Sequence, residues 1–235
     1  MPQDGDKRRS EVQEALLQLY LRLNGYFVTG FIVHSPNHGK NVAEIDALAV
    51  RHPQNCEPER EVGPASFLEP SSGLTDLLIC EVKAKGRQLH FNERFRNDVS
   101  AISVVLRWAG LFEEKEVMAL ARLLQPKLAP TDHPKQEIPS VPGPRNTRIR
   151  VVLCSPERQR RFPNQVKFIH GEEIFSYVTK CLCPETPRPG CAVRYDFTGW
   201  GRNLEPIVRF FKNRGPAAAK SKIAELYAEL EVPVG

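Results

Sequence analysis

The sequence predicts an α/β fold, a mixed central sheet flanked by helices with a C-terminal helical extension. Three observations carry this. Apolar residues recur at helical spacing before the first strand-like run; three runs of strand length follow within residues 26–84; and the order afterwards is helix, helix, strand, strand, helix. The early strands are linked closely enough to be antiparallel neighbours, and the later ones suit parallel addition.

Residues 10–24, SEVQEALLQLYLRLN, are the first helix: Val12, Leu16, Leu19 and Leu23 form one apolar strip, Leu17 and Leu21 a second. A helix apolar on two sides is sandwiched between other elements. Ser10 reads as its N-cap and Gly25 as its stop. YFVTGFIVH at 26–34 and VAEIDALAV at 42–50 are strands joined by the turn SPNHGKN. Four prolines make residues 51–75 a long irregular loop. DLLICEVKA at 76–84 is the third strand, and helices follow at 93–109 and 114–124. Six prolines predict a loop or linker over 125–147. Strands resume at 149–155 and 165–169, and the helix GEEIFSYVTKC follows. PETPRPG at 184–190 marks the boundary between a domain at 1–183 and an extension at 184–235, with helices near 203–213 and 217–230.

Hydrophobic residues make up 41% of the 235 and charged residues 26%, which suits a globular chain with a real core. No apolar run approaches the roughly 18 residues a bilayer demands. The polar start, MPQDGDKRRSEVQE, lacks the apolar centre of a secretory signal, so a cytoplasmic protein without a membrane partner is expected. A net charge of +5 permits nucleic acid as a partner without requiring it.

Strand alternation exposes the chemistry. In the third strand Leu77, Ile79, Glu81 and Lys83 share one face, and Leu78, Cys80, Val82 and Ala84 the other. In the second, Val42, Glu44, Asp46, Leu48 and Val50 share a face, opposite Ala43, Ile45, Ala47 and Ala49. Aspartate is disfavoured in strand interiors, yet Asp46 sits mid-run. If the two strands are neighbours, Asp46 and Glu81 converge. Converging carboxylates repel unless a cation intervenes, and Mg²⁺ is held by one or two carboxylates plus a substrate phosphate. Lys83 beside it suits activation of water or charge on a phosphate. The competing explanation is a buried salt bridge between Lys83 and one carboxylate.

In this order, a helix glutamate, Asp46 in AEIDALAV, and Glu81 with Lys83 in LLICEVKAK resemble the PD-(D/E)XK nuclease superfamily. Its restriction-endonuclease-like fold is shared with Holliday-junction resolvases and Mrr-type enzymes. VKFIHGEEIFSYV is similar to the strand-turn-helix that closes the Mrr-type domain, so the resemblance spans roughly residues 10–180. It implies Mg²⁺ or Mn²⁺ held by Asp46, Glu81 and the carbonyl of Val82, with Lys83 catalytic, and hydrolysis of phosphodiesters in DNA. Ile45 stands where the family's name has proline, and the 51–75 insertion is less usual. Two residues compete for the helix glutamate, Glu14 and Glu11; Glu14 lies about three turns before Gly25, where such relatives carry theirs. Cutting both strands often uses two sites, which suggests a homodimer.

Lys85, Arg87, Arg94 and Arg96 follow the third strand as candidate DNA contacts, and Arg158, Arg160 and Arg161 form a second cluster. His34 and His38 flank a turn and read as loop residues. Cys181, Cys183 and Cys191 lack the paired spacing of common zinc sites and read as free thiols; Cys80 and Cys154 sit in apolar runs and read as buried. Phe197, Trp200, Leu204, Ile207 and Phe211 read as packing residues that dock the tail on the domain. The alternatives to a DNA endonuclease of defence or repair are a non-catalytic DNA-binding module of the same fold and an interaction subunit of a larger complex.

Overall fold

A computed structural model describes residues 4–34, 41–55, 61–70, 73–129, 137–159, 167–184 and 197–233. It is an α/β protein with a mixed six-stranded sheet and, among the described residues, seven α-helices. The strands are β1 (Phe27–His34), β2 (Asn41–Arg51), β3 (Thr75–Val82), β4 (Ser140–Gly143), β5 (Thr147–Ser155) and β6 (Ile169–His170). β1, β2 and β3 are antiparallel neighbours, β5 joins β3 in parallel, β4 pairs antiparallel with the start of β5, and β6 pairs parallel with its end.

Two helical layers cover the sheet. Leu16, Leu17 and Tyr20 of α1 (Asp4–Leu23) and Phe175 of α5 (Gly171–Leu182) bury Ala47, Ala49, Leu78, Cys80 and Cys154. On the other face Phe95 of α2 (Glu93–Asn97), Ile102 and Leu106 of α3 (Val99–Ala109) and Leu124 of α4 (Glu114–Leu128) bury Ile45, Leu48, Leu77, Ile79, Val151 and Leu153. α6 (Glu205–Arg214) and α7 (Ile223–Glu229) put Ile207, Phe211 and Tyr227 into the first core, and the 3₁₀ segment Phe197–Trp200 and the turn after it add Trp200 and Leu204, with Phe197 packed against it. No described helix is long and apolar enough to cross a membrane.

Several elements differ from the expectation. α1 starts six residues early, so Ser10 is not a cap; side-chain pairs Lys7–Glu11 and Asp6–Arg9 support the extra turn. Gly25 does end it, at φ 82. The helix expected at 93–109 breaks at Asp98, whose carboxylate caps Ser100 N–H at 2.8 Å and starts α3. α4 runs through Pro126, which gives up one N–H bond two residues before the helix ends, and the buried Leu128 anchors the end. β4 lies in the proline-rich stretch expected to be a loop; it is an edge strand, where Pro142 is tolerated. β6 begins only at Ile169; residues 165 and 166, the start of the expected strand, lie outside the described residues. The last expected helix is a 3₁₀ segment, Gly215–Lys220, followed by α7.

The expected alternation in β2 also fails. Thr29 faces Leu48 and Phe31 faces Ile45, so Gly30 alone opposes both Asp46 and Ala47. This bulge lets Ile45 and Leu48 enter one core while Ala47 and Ala49 enter the other. Alternation in β3 holds, and both faces are buried.

A buried ionic network ties the far end of the sheet. Asp76, 1% exposed, accepts hydrogen bonds from Tyr26 Oη (2.6 Å), Arg148 Nε (3.2 Å) and Arg150 Nε (3.0 Å), and Arg150 Nη1 caps Leu68 O at 2.5 Å. One carboxylate thus joins the entry to β1, the 61–70 loop, β3 and β5.

Candidate active site

Ala47 pairs with Cys80, which puts Asp46 beside the last residues of β3. Its Oδ2 accepts the main-chain N–H of Val82 at 2.6 Å. Glu81 Oε1 accepts from Lys83 Nζ at 2.5 Å. Lys83 lies just past β3, but its N–H continues the ladder to Cys154 O at 2.8 Å. Its carbonyl accepts from the buried Ser155 hydroxyl at 2.5 Å. Main chain and side chain of Lys83 are therefore both anchored.

The Glu81–Lys83 contact is the salt bridge of the competing explanation, and it is half the picture. Glu81 Oε2 is buried and has no hydrogen-bond partner among the described residues. An orphaned buried carboxylate oxygen is costly unless it serves a ligand. Burial pushes the Asp46 carboxyl up to about 7; the Val82 N–H works against that, the charges of Glu81 and Glu14 add to it, and Lys83 relieves it. Glu14 is raised as well, first by burial and then by Glu44 and Glu11, while the Ser10 hydroxyl, donating at 2.9 Å, holds it down. Glu14, Glu81 and Lys83 thus all act on the charge of Asp46, three carboxylates to one ammonium at this end of the sheet.

That donor set is all oxygen and carries excess negative charge, which fits a hard divalent cation such as Mg²⁺ or Mn²⁺. Among the described residues no group of three or more His, Cys, Asp and Glu side chains is arranged to hold a metal ion. Asp46 and Glu81 are two carboxylates, the number Mg²⁺ commonly uses.

The other expected residues divide. Lys85 and Arg87 are exposed on the loop leaving β3. Arg94 pairs with Asp98 at 3.1 Å, and Arg96 Nε binds Phe91 O at 2.9 Å, so both brace α2. Glu11 is exposed and pairs with Lys7 at 3.9 Å. Cys80 and Cys154 are buried; they and the half-buried Cys181 and Cys183 form no disulfide, and Cys191 lies outside the described residues. His38, Arg160 and Arg161 and the side chain of His34 lie outside them too.

Reasoning from sequence gave Ser10 the role of a cap rather than a partner of Glu14, and it missed Ser155 and Gly30, which aim Lys83 and Asp46. Only Gly30, a glycine within a strand run, carried a signal, since such glycines mark bulges. It missed Glu157 also, whose carboxylate accepts from Arg9 (3.0 Å), Lys85 N–H (2.7 Å) and Tyr227 Oη (3.0 Å). No family model, no curated protein and no solved structure matches this chain.

Proposed function

We propose that the chain is a metal-dependent DNA endonuclease of the PD-(D/E)XK type, with a restriction-endonuclease-like fold, acting in the cytoplasm in defence or repair. The observation that carries this is the meeting of Asp46 with the main chain of β3 beside Glu81, which keeps a buried, unpartnered oxygen. Asp46, Glu81 and the carbonyl of Val82 would hold Mg²⁺ or Mn²⁺. When bound, that ion lowers the pKa of water and offsets charge on the phosphate.

The chain's own residues supply the rest. Glu14, at the edge of the site, accepts a hydrogen bond from the attacking water and orients it. Lys83 holds the charge that grows on the phosphate oxygens as water oxygen bonds to phosphorus and one bond from phosphorus to sugar oxygen breaks. The departing oxygen ends protonated, and the proton lost by water balances it. Lys85 and Arg87 contact flanking phosphates, and two copies of the chain would cut both strands.

Incubating the purified chain with plasmid and single-stranded DNA, with Mg²⁺, Mn²⁺ or EDTA, tests the proposal. Cleavage that needs metal and disappears in Asp46→Ala and Glu81→Ala is expected. Cleavage untouched by these substitutions overturns the assignment, and binding without cleavage points to a non-catalytic module.

A further inference from the structure

A cavity of about 660 Å³ lies where the ends of β3 and β5 meet α1, α5 and α7, lined among others by Arg9, Lys85, Glu157, Arg158, Glu172 and Lys222. Cavities of this size hold ligands as large as a nucleotide. Arg9 and Glu157 pair with each other, and Glu157 is further held by the Lys85 N–H and Tyr227, which leaves three cationic side chains against Glu172. The balance favours an anion.

The wall is built in advance. Arg158 donates through Nη2 to Lys85 O (2.9 Å) and to Arg87 O, fixing the loop that leaves β3. Its Nε is buried and has no partner among the described residues, so a cationic donor is left over at this cavity. Gly171 N–H binds Arg158 O at 3.0 Å, and a Cβ at Gly171 would fall 2.3 Å from Pro156 O, so only glycine lets α5 close against the 156–158 turn. The aromatic residues in the lining offer no open face for a base: Phe175 is 0% and Tyr227 2% exposed.

The cavity adjoins the candidate active site. Lys85 follows Lys83 by two residues, a separation of at most about 7 Å between Cα atoms. Arg9 precedes Glu14 by five residues, about 7.5 Å along α1.

We propose that this cavity grips phosphate groups of a nucleic-acid strand by charge, without reading bases, with the C-terminal helix α7 supplying one wall. The proposal rests on the nuclease function above and names how its substrate is held. Binding is measured on the full chain in EDTA, by anisotropy of a short labelled DNA strand over a range of salt. Lys85 and Lys222 are both exposed, so their replacement spares the core. Lys85→Ala and Lys222→Ala are each expected to lower the slope of log affinity against log salt by about 0.7 to 0.9. The double variant is expected to lose about twice that, equally for unrelated sequences, and thymidine monophosphate is expected to compete only weakly. An unchanged slope in the double variant overturns the cavity as a strand site. So does a mononucleotide that binds as tightly as the strand, which assigns the cavity to free nucleotide. Because no metal and no cleavage enter the measurement, a lost slope in a chain that never cleaves sustains the cavity and sinks the nuclease function, while cleavage with an unchanged slope does the reverse.

Discussion

The Asp46 carboxylate accepts the main-chain N–H of Val82 at 2.6 Å, so the backbone of β3 aims the side chain of β2. That bond exists because Gly30 faces a bulge at Asp46 and Ala47 and turns the aspartate out of plain alternation. Burial at this point raises the aspartate's pKa, while the Val82 N–H that aligns it works the other way.

Asp46→Asn separates those two roles. The amide oxygen still accepts from Val82, but the charge is gone. Metal-dependent cleavage is expected to fall by at least about 100-fold, while folding is retained. Asp46→Ala is expected to lose cleavage and stability together, since the Val82 N–H loses its partner at a cost of about 1–3 kcal/mol. Assays of cleavage paired with urea titrations check this; a fully active Asp46→Asn would sink the metal assignment.

The titration of Asp46 gives a signed dependence on pH. Its folded value of about 7 lies above the ordinary 3.8, so the folded chain holds this proton more tightly than the unfolded one. The stabilisation is full below about pH 4 and is lost as pH rises through about 7. The ceiling is roughly 4 kcal/mol. In the metal-free chain, Tm is expected to fall over that window more in wild type than in Asp46→Asn. Added Mg²⁺ is expected to raise Tm increasingly over the same window, because it needs the carboxylate. Parallel melts with EDTA and Mg²⁺ decide; identical pH profiles for the two proteins would refute it.

The strands and the first helix were legible in the sequence because burial imposes a period, and β3, with both faces covered, shows as the run Leu77 to Cys80. Asp46, Glu81 and Lys83 were legible because charges in apolar strands are expensive. What stayed hidden depends on partners distant in sequence. The bulge at Asp46 is set by pairing with Gly30. Pro142 hid β4 because a proline forbids only a central strand, and nothing local says which strand is at the edge. Asp76 looked like the polar start of a strand, yet Arg148 and Arg150 make it the hub of a network.

Asp76→Ala should therefore be among the most damaging substitutions away from the active site. It leaves Arg150, 3% exposed, without its counter-charge. Removing one member of a buried pair costs about 3–5 kcal/mol. Urea unfolding is expected to show a loss of that size, against under about 1 kcal/mol for an exposed pair such as Lys7–Glu11.

Gly171→Ala probes the turn beside the cavity. A Cβ 2.3 Å from Pro156 O meets backbone, which does not yield cheaply. A loss of about 1–3 kcal/mol is expected, with weakened DNA binding as the 156–158 turn shifts. Stability equal to wild type would show that the turn is looser than its geometry.

Lys83→Ala is expected to stop turnover while leaving DNA binding largely intact, since its Nζ is directed at Glu81, whereas Lys85 and Arg87 stand exposed on the loop leaving β3. A matched loss of binding, measured by gel shift without metal, would reassign it to substrate contact.

The helix glutamate is the last choice to decide. Glu14 and Glu11 are one turn apart on α1, yet their surroundings differ. Glu14 is raised by burial, receives the Ser10 hydroxyl at 2.9 Å, and its charge acts on Asp46. Glu11 stands in solvent beside Lys7. A carboxylate that orients or deprotonates water must sit at the site, and on the proposed nuclease function that role would fall to Glu14. Glu14→Gln is expected to lower turnover by about 100-fold or more with little change in DNA affinity. Glu11→Gln is expected to stay within about twofold of wild type, since exposed pairs contribute little. Ser10→Ala serves as the intermediate case: it frees Glu14 from its brace without removing it, so it is expected to lower turnover less than Glu14→Gln and to shift the acid limb of the pH profile upward, because the hydroxyl that holds the carboxyl down is gone. An inactive Glu11→Gln beside an active Glu14→Gln would reverse the choice.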